Sequence, residues 1–160
     1  MKKPKATEIY YFAYGSNCNL RQMAVRCPKA TVTGTVTLKG YTLEFNRVAS
    51  IRRKKGGEVK GVLWLITPEC EKSLDRYEGY PNYYTKKNVN VCYESGEMVK
   101  AMVYIMTPEN SNPAYPSEIY FNGIRDGFVQ NGLEAETETL YDAYYDVKRR
   151  LKRLEKAGVV

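Results

Sequence analysis

The chain contains no histidine. That one absence removes Ser-His-Asp and Cys-His nucleophilic catalysis, and any histidine-ligated metal. Cysteine is sparse: Cys18, Cys27, Cys70 and Cys92 form no CxxC pair, which argues against zinc or iron–sulfur binding. MKKPKATE at the start has no apolar stretch of the kind a secretory signal carries, so the cysteines read as reduced thiols of a cytoplasmic protein. Cys18 follows a polar turn, but no base for it is visible, and a small buried side chain is the simpler reading. No apolar run approaches the ~20 residues of a membrane span, so no membrane partner is expected.

At 160 residues a single domain with one core is the natural reading. The formal net charge is +7, with +5 carried from Lys148 to the end and +3 by Lys2, Lys3 and Lys5, leaving −1 for residues 6–147. The body is near neutral and its ends are basic. A basic end can bind phosphates by counterion release, but it is more often a solvated face. The distribution therefore argues against nucleic acid as the main partner, and a homodimer packed on the basic helix stays open.

Local patterns predict a mixture of strands and helices. Ile9 to Ala13 is apolar and ends in Gly15-Ser16-Asn17, a strand running into a polar turn, and a short helix capped by Asn17 or Asn19 then reaches Pro28. Thr31 to Phe45, interrupted by Gly34 and Gly40, suggests two strands. Residues 51–57, IRRKKGG, read as an exposed loop or hairpin tip. Val59 to Ile66 is an almost continuous apolar strand covered on both faces.

Thr67-Pro68 opens a helix that runs to about Glu78, stopped by Gly79, with Cys70, Leu74 and Tyr77 on its buried stripe. Val89–Tyr93 and Met98–Met106 form a hairpin. Ser117 caps a helix with Ile119, Tyr120, Gly123, Ile124, Gly127 and Phe128 on one face, and a last helix spans about Glu134 to Lys156. No repeat or linker divides the chain. Strands grouped before and between a few helices point to an α+β domain.

Two places can carry chemistry. Glu78 lies ~40° around the helix from Leu74, beside the buried stripe. It also sits in the last turn, where the helix dipole disfavours negative charge. Both effects raise a carboxylate pKa, as a general base working near neutral pH requires. The plain alternative is a helix-end glutamate in a surface pair. Gly15-Ser16 supplies the second place: glycine lets successive N–H groups face one side, forming a nest for a carboxylate or an oxyanion. Its plain alternative is a strand-to-helix turn. Of the 15 tyrosines, most are expected to pack, with one or two at a ligand.

YFAYGSN, EVKGVLWLI, LDRYEGYPNYY, VYIMTPE and SEIYFNGIRDGFVQNGL, in this order, resemble the γ-glutamylcyclotransferase family, including its AIG2-like and γ-glutamylamine cyclotransferase branches. The likeness spans roughly residues 8–140. It implies a single α+β domain with a mixed, barrel-like sheet flanked by helices, so that residues 1–147 form the γ-glutamylcyclotransferase-like domain and residues 148–160 a basic helical extension.

By this resemblance Glu78 is the catalytic residue. Tyr14, Gly15, Ser16, Asn17 and Tyr120 bind substrate, and Ile51 belongs to a pocket-wall segment, Ala49-Ser50-Ile51. The implied reaction needs no cofactor and no metal. It is cyclisation of γ-glutamyl amino acids or γ-glutamylamines to 5-oxoproline, releasing the amino acid or amine. Asn17, where the glutathione-specific branch carries leucine, argues against that branch. A non-catalytic small-molecule-binding or regulatory domain of the same fold is the alternative.

Overall fold

A computed structural model describes residues 2–159; Met1 and Val160, the outer ends of the two expected segments, lie outside the described residues. Five strands close into a barrel. They are β1 (Ile9–Ala13), β2 (Thr31–Asn46), β3 (Val48–Ile66), β4 (Tyr84–Tyr93) and β5 (Met98–Met106), in the order β1-β3-β2-β4-β5. All neighbours pair antiparallel except β1 and β5, which close the barrel in parallel at Tyr11 and Met102. Four α-helices surround it: α1 (Leu20–Arg26), α2 (Pro68–Glu78), α3 (Glu118–Gln130) and α4 (Thr137–Lys156). Phe12, Phe45, Leu63, Val62, Val91 and Val103 fill the strand core, and Met23, Leu74, Ile124 and Leu140 pack the helices onto it. The α+β expectation is met by a single domain with a mixed five-stranded barrel.

The stretch expected as two strands is one 16-residue strand, and the expected tip at residues 51–57 is part of the 19-residue β3. The physical reason is a bulge. Tyr41 pairs with Arg53 and Lys39 with Glu58, so Gly40 alone faces the four residues 54–57. Gly40 (φ 84°) and Gly56 (φ 76°) adopt the left-handed backbone that such an excursion needs. Glycine here continues a strand pair instead of ending it, and the true tip is Arg47, between Asn46 and Val48.

Three smaller expectations are also corrected. On α3, Ile119 is 87% exposed and Phe121 takes its place in the core. On α2, Cys70 and Leu74 are buried but Tyr77 is exposed, at the mouth of a cavity. The thiols are not all reduced, because Cys27 after α1 and Cys70 on α2 are joined as a disulfide. Helix α4 runs unbroken across position 147, so the basic segment is the second half of a helix docked on β2. No helix is long and apolar enough to cross a membrane among the described residues.

Candidate functional site

The end of β1 and the end of α2 meet at one cavity of about 200 Å³. After Ala13 the chain turns at Gly15 into a single turn of 3-10 helix, Ser16–Cys18, where Cys18 N–H donates to Gly15 O at 3.0 Å. Asn19 then caps α1, its Oδ1 accepting from Arg21 and Gln22 N–H at 3.1 Å each. Three supports hold the turn. Trp64 Nε1 donates to Asn17 O at 3.0 Å, Asn131 Nδ2 donates to Cys18 O at 2.9 Å, and Gly127 of α3 lies directly under the Cys18–Asn19 backbone. The N–H groups of Gly15, Ser16 and Asn17 have no acceptor among the described residues. They are the free donors expected of a nest.

Helix α2 brings the carboxylate. Thr67 Oγ1 accepts from Cys70 N–H at 3.2 Å, Pro68 occupies the first helical position, and Gly79 in the left-handed conformation ends the helix directly after Glu78. The other inward carboxylates of α2 are taken: Lys86 Nζ lies 2.6 Å from Glu71 and 2.9 Å from Asp75, and Asp75 also accepts from Tyr104 Oη at 2.6 Å. Among the described residues Glu78 has no cationic partner within 4.0 Å, and it lines the cavity. Burial pushes its pKa up to about 7, against a weaker downward pull from the charge of Arg26. Asn17 Nδ2 donates to its Oε1 at 3.4 Å.

The cavity gathers Tyr14, Gly15, Ser16, Asn17, Glu78 and Tyr120. Tyr120 Oη accepts from Ala49 N–H at 2.9 Å and would lie 3.6 Å from a Cβ placed on Gly15, so it closes the wall facing the turn. Of the expected wall segment Ala49-Ser50-Ile51, Ala49 lines this cavity, together with Val48, whereas Ser50 and Ile51 are buried further along β3 against a different cavity.

Seven tyrosines line the cavity, more than the one or two expected at a ligand. Three of their hydroxyls donate to the protein: Tyr14 to Tyr104 O at 2.7 Å, Tyr84 to Ala49 O, and Tyr104 to Asp75. Tyr11 and Tyr120 accept from Asn17 and Ala49 and have no acceptor of their own among the described residues, which leaves each an O–H proton to donate.

Two residues escaped the sequence reading. Tyr11 lies in the quoted β1 run but was not distinguished from its neighbours. Arg26 ends α1, where its Nη1 donates to Asn17 Oδ1 at 2.7 Å and its guanidinium lies 3.7 Å over the Tyr77 ring. The only signal for Arg26 was a basic residue in the last turn of α1. Cys18 is fully buried, its thiol donates to Ala13 O at 3.1 Å, and burial pushes its pKa up to about 12. It is a core thiol.

Comparison with known proteins agrees with this geometry. The family described as Gamma-glutamyl cyclotransferase, AIG2-like, matches residues 11–122. The human gamma-glutamylcyclotransferase is 31% identical over 146 residues, covering 83% of this chain and 77% of the human one. The cattle protein of the same name is 32% identical over 149 residues, covering 85% and 78%. A solved structure described as gamma-glutamyl cyclotransferase superposes with a TM-score of 0.77 at 30% identity, covering 84% of this chain and 86% of that one. This chain belongs to the AIG2-like gamma-glutamyl cyclotransferase family.

Proposed function

We propose that the protein converts γ-glutamyl amino acids or γ-glutamylamines to 5-oxoproline and a free amino acid or amine. The observation that carries this reading is the placement of Glu78, with its raised pKa, in the same small cavity as the free N–H groups of Gly15, Ser16 and Asn17. A pKa of about 7 leaves Glu78 able both to accept and to return a proton near neutral pH. Burial of the carboxylate without a cationic partner is costly, and an acid–base role accounts for it.

In this mechanism the Glu78 carboxylate takes a proton from the substrate α-ammonium. The freed amine attacks the γ-carbonyl carbon of the same molecule, forming the ring C–N bond. Negative charge moves to the carbonyl oxygen, where the N–H groups of the turn can receive it. Collapse breaks the bond to the leaving nitrogen. That nitrogen receives one proton from Glu78 and the surplus proton of the ring nitrogen, so it departs as an ammonium and the carboxylate is restored. Nucleophile and electrophile share one molecule, so the cavity's remaining task is to hold the cyclising conformer.

Incubation with a panel of γ-glutamyl dipeptides and γ-glutamyl-lysine, followed by an assay for 5-oxoproline, tests the reading. Turnover of at least one compound that disappears in Glu78→Gln is expected. Absence of product from the whole panel, or full activity in Glu78→Gln, overturns it. Thermal stabilisation by these compounds without turnover would favour a binding domain instead.

A further inference from the structure

The fold brings the basic C-terminal half of α4 together with cations of β3 and β4 on one face. Helix α4 is anchored to the barrel by Arg150, which donates to Phe45 O at 2.8 Å and to buried Glu44 at 2.6 Å. This sets the basic half of α4 beside Arg52 and Lys54 of β3, with a groove of about 980 Å³ between them. Arg149, Lys152 and Lys156 form the helix side. Arg52 and Arg153 also border a second cavity of about 730 Å³, lined by Arg53 and Lys87, so the two cavities are adjacent and share these two cations. Ten basic and three acidic side chains line the pair, a net +7 equal to that of the whole chain.

Arg52 is held by Glu44 at 3.0 Å and Arg149 by Asp146 at 3.0 Å. In contrast, Arg53, Lys54, Lys87, Lys152 and Lys156 have no carboxylate within 4.0 Å among the described residues.

We propose that this track binds the phosphodiester backbone of a single-stranded nucleic acid. The cations stand in two rows. Positions three or four apart on α4 rise ~4.5–6 Å, and Arg52 and Lys54, two apart on a strand, rise ~6.6 Å. Both steps suit successive phosphates of an extended strand. A single small anion needs one cluster, whereas two adjacent cavities with cations along both and two in common suit a chain. The α4 groove offers only Leu43 and Ala143 as apolar lining, too little to anchor a folded protein partner. The second cavity has apolar walls at Ile105 and Pro108 beneath its cations, a place for a base beside its phosphate.

Fluorescence anisotropy with a labelled 20-nucleotide uridine RNA and the full chain tests the proposal. Five unpaired cations predict a single-strand salt slope of about −3.5, a roughly hundredfold loss of affinity between 50 and 200 mM KCl. The triple variant Lys54→Glu/Lys152→Glu/Lys156→Glu should bind at least tenfold more weakly, and the same three positions changed to Arg should bind as the parent does. Lys2→Glu/Lys3→Glu/Lys5→Glu, an equal charge change away from the groove, should bind nearly as the parent. No binding at 50 mM KCl overturns the proposal, as does equal weakening by both acidic triples. Binding of inorganic polyphosphate but not RNA also overturns it.

Discussion

Arg26 decides which end of the Asn17 side chain faces Glu78. Its Nη1 donates to Asn17 Oδ1 at 2.7 Å, so the amide nitrogen is left for Tyr11 Oη at 2.9 Å and for Glu78 Oε1 at 3.4 Å. Tyr77, one residue before Glu78, lies under the same guanidinium. One cation thus orients the amide, braces the mouth of the cavity and acts electrostatically on the carboxylate.

Replacing Arg26 with Gln removes the charge that holds the Glu78 pKa down. The pKa should then rise above its parent value of about 7. In the proposed mechanism Glu78 must be deprotonated to accept the α-ammonium proton, so the acidic limb of the kcat profile should move to higher pH, with activity at pH 7 reduced and partly recovered above pH 8. A pH–rate profile of 5-oxoproline formation checks this. A loss that is uniform across pH would mean that Arg26 acts only by holding Asn17.

Glu78 should also oppose stability. Its folded-state pKa of about 7 lies above the ordinary carboxylate value of about 4.5, so the folded protein retains a proton that the unfolded chain has released. The sign follows: stability falls as pH rises from the unfolded pKa through the folded one, and the cost is fully present above about pH 7. The shift corresponds to ~3 kcal/mol, an order-of-magnitude figure. Glu78→Gln should therefore melt several degrees higher than the parent at pH 8, with the gain disappearing near pH 4, while losing activity. Thermal melts of both proteins across this pH range decide it.

The same two residues show how much a sequence can disclose. Glu78 was legible because helix periodicity, Thr67-Pro68 and Gly79 define both its face and its turn. The Gly15–Asn17 nest was legible because an apolar run stops abruptly in small polar residues. Arg26 and Tyr11 were not, since their roles depend on contacts between elements far apart in sequence. Arg26 acquires meaning only when α1 lies against α2, and Tyr11 only when β1 turns its ring toward Asn17. The bulge at residues 54–57 was hidden for another reason. Lys-Lys-Gly-Gly ends most strands, and only the partner register reveals that β3 resumes at Glu58.

Tyr120 joins the cavity wall to β3 through a single bond, the one from Ala49 N–H. Ala49 is buried, and Tyr120→Phe leaves that N–H without its acceptor. A loss of about 1–3 kcal/mol is expected from the stranded donor. Chemical denaturation measures it, and kcat/KM should fall with it because the same hydroxyl borders Gly15.

Two glycines separate building the site from filling it. At Gly127 an added Cβ would lie 2.6 Å from Asn19 N and 2.7 Å from Cys18 C, backbone atoms with no flexible end to move aside. Gly127→Ala should push α3 off the turn that carries the free N–H groups, costing roughly 1–3 kcal/mol or more. At Gly15 the added Cβ would meet only side-chain atoms, Ala49 Cβ at 3.2 Å and Tyr120 Oη at 3.6 Å. Gly15→Ala should therefore fold nearly as well as the parent but narrow the cavity, raising KM or abolishing turnover with little change in Tm. Equal destabilisation of the two variants would show that Gly15 serves packing. A stable but inactive Gly15→Ala beside an unstable Gly127→Ala would assign the first to the substrate and the second to the scaffold beneath it.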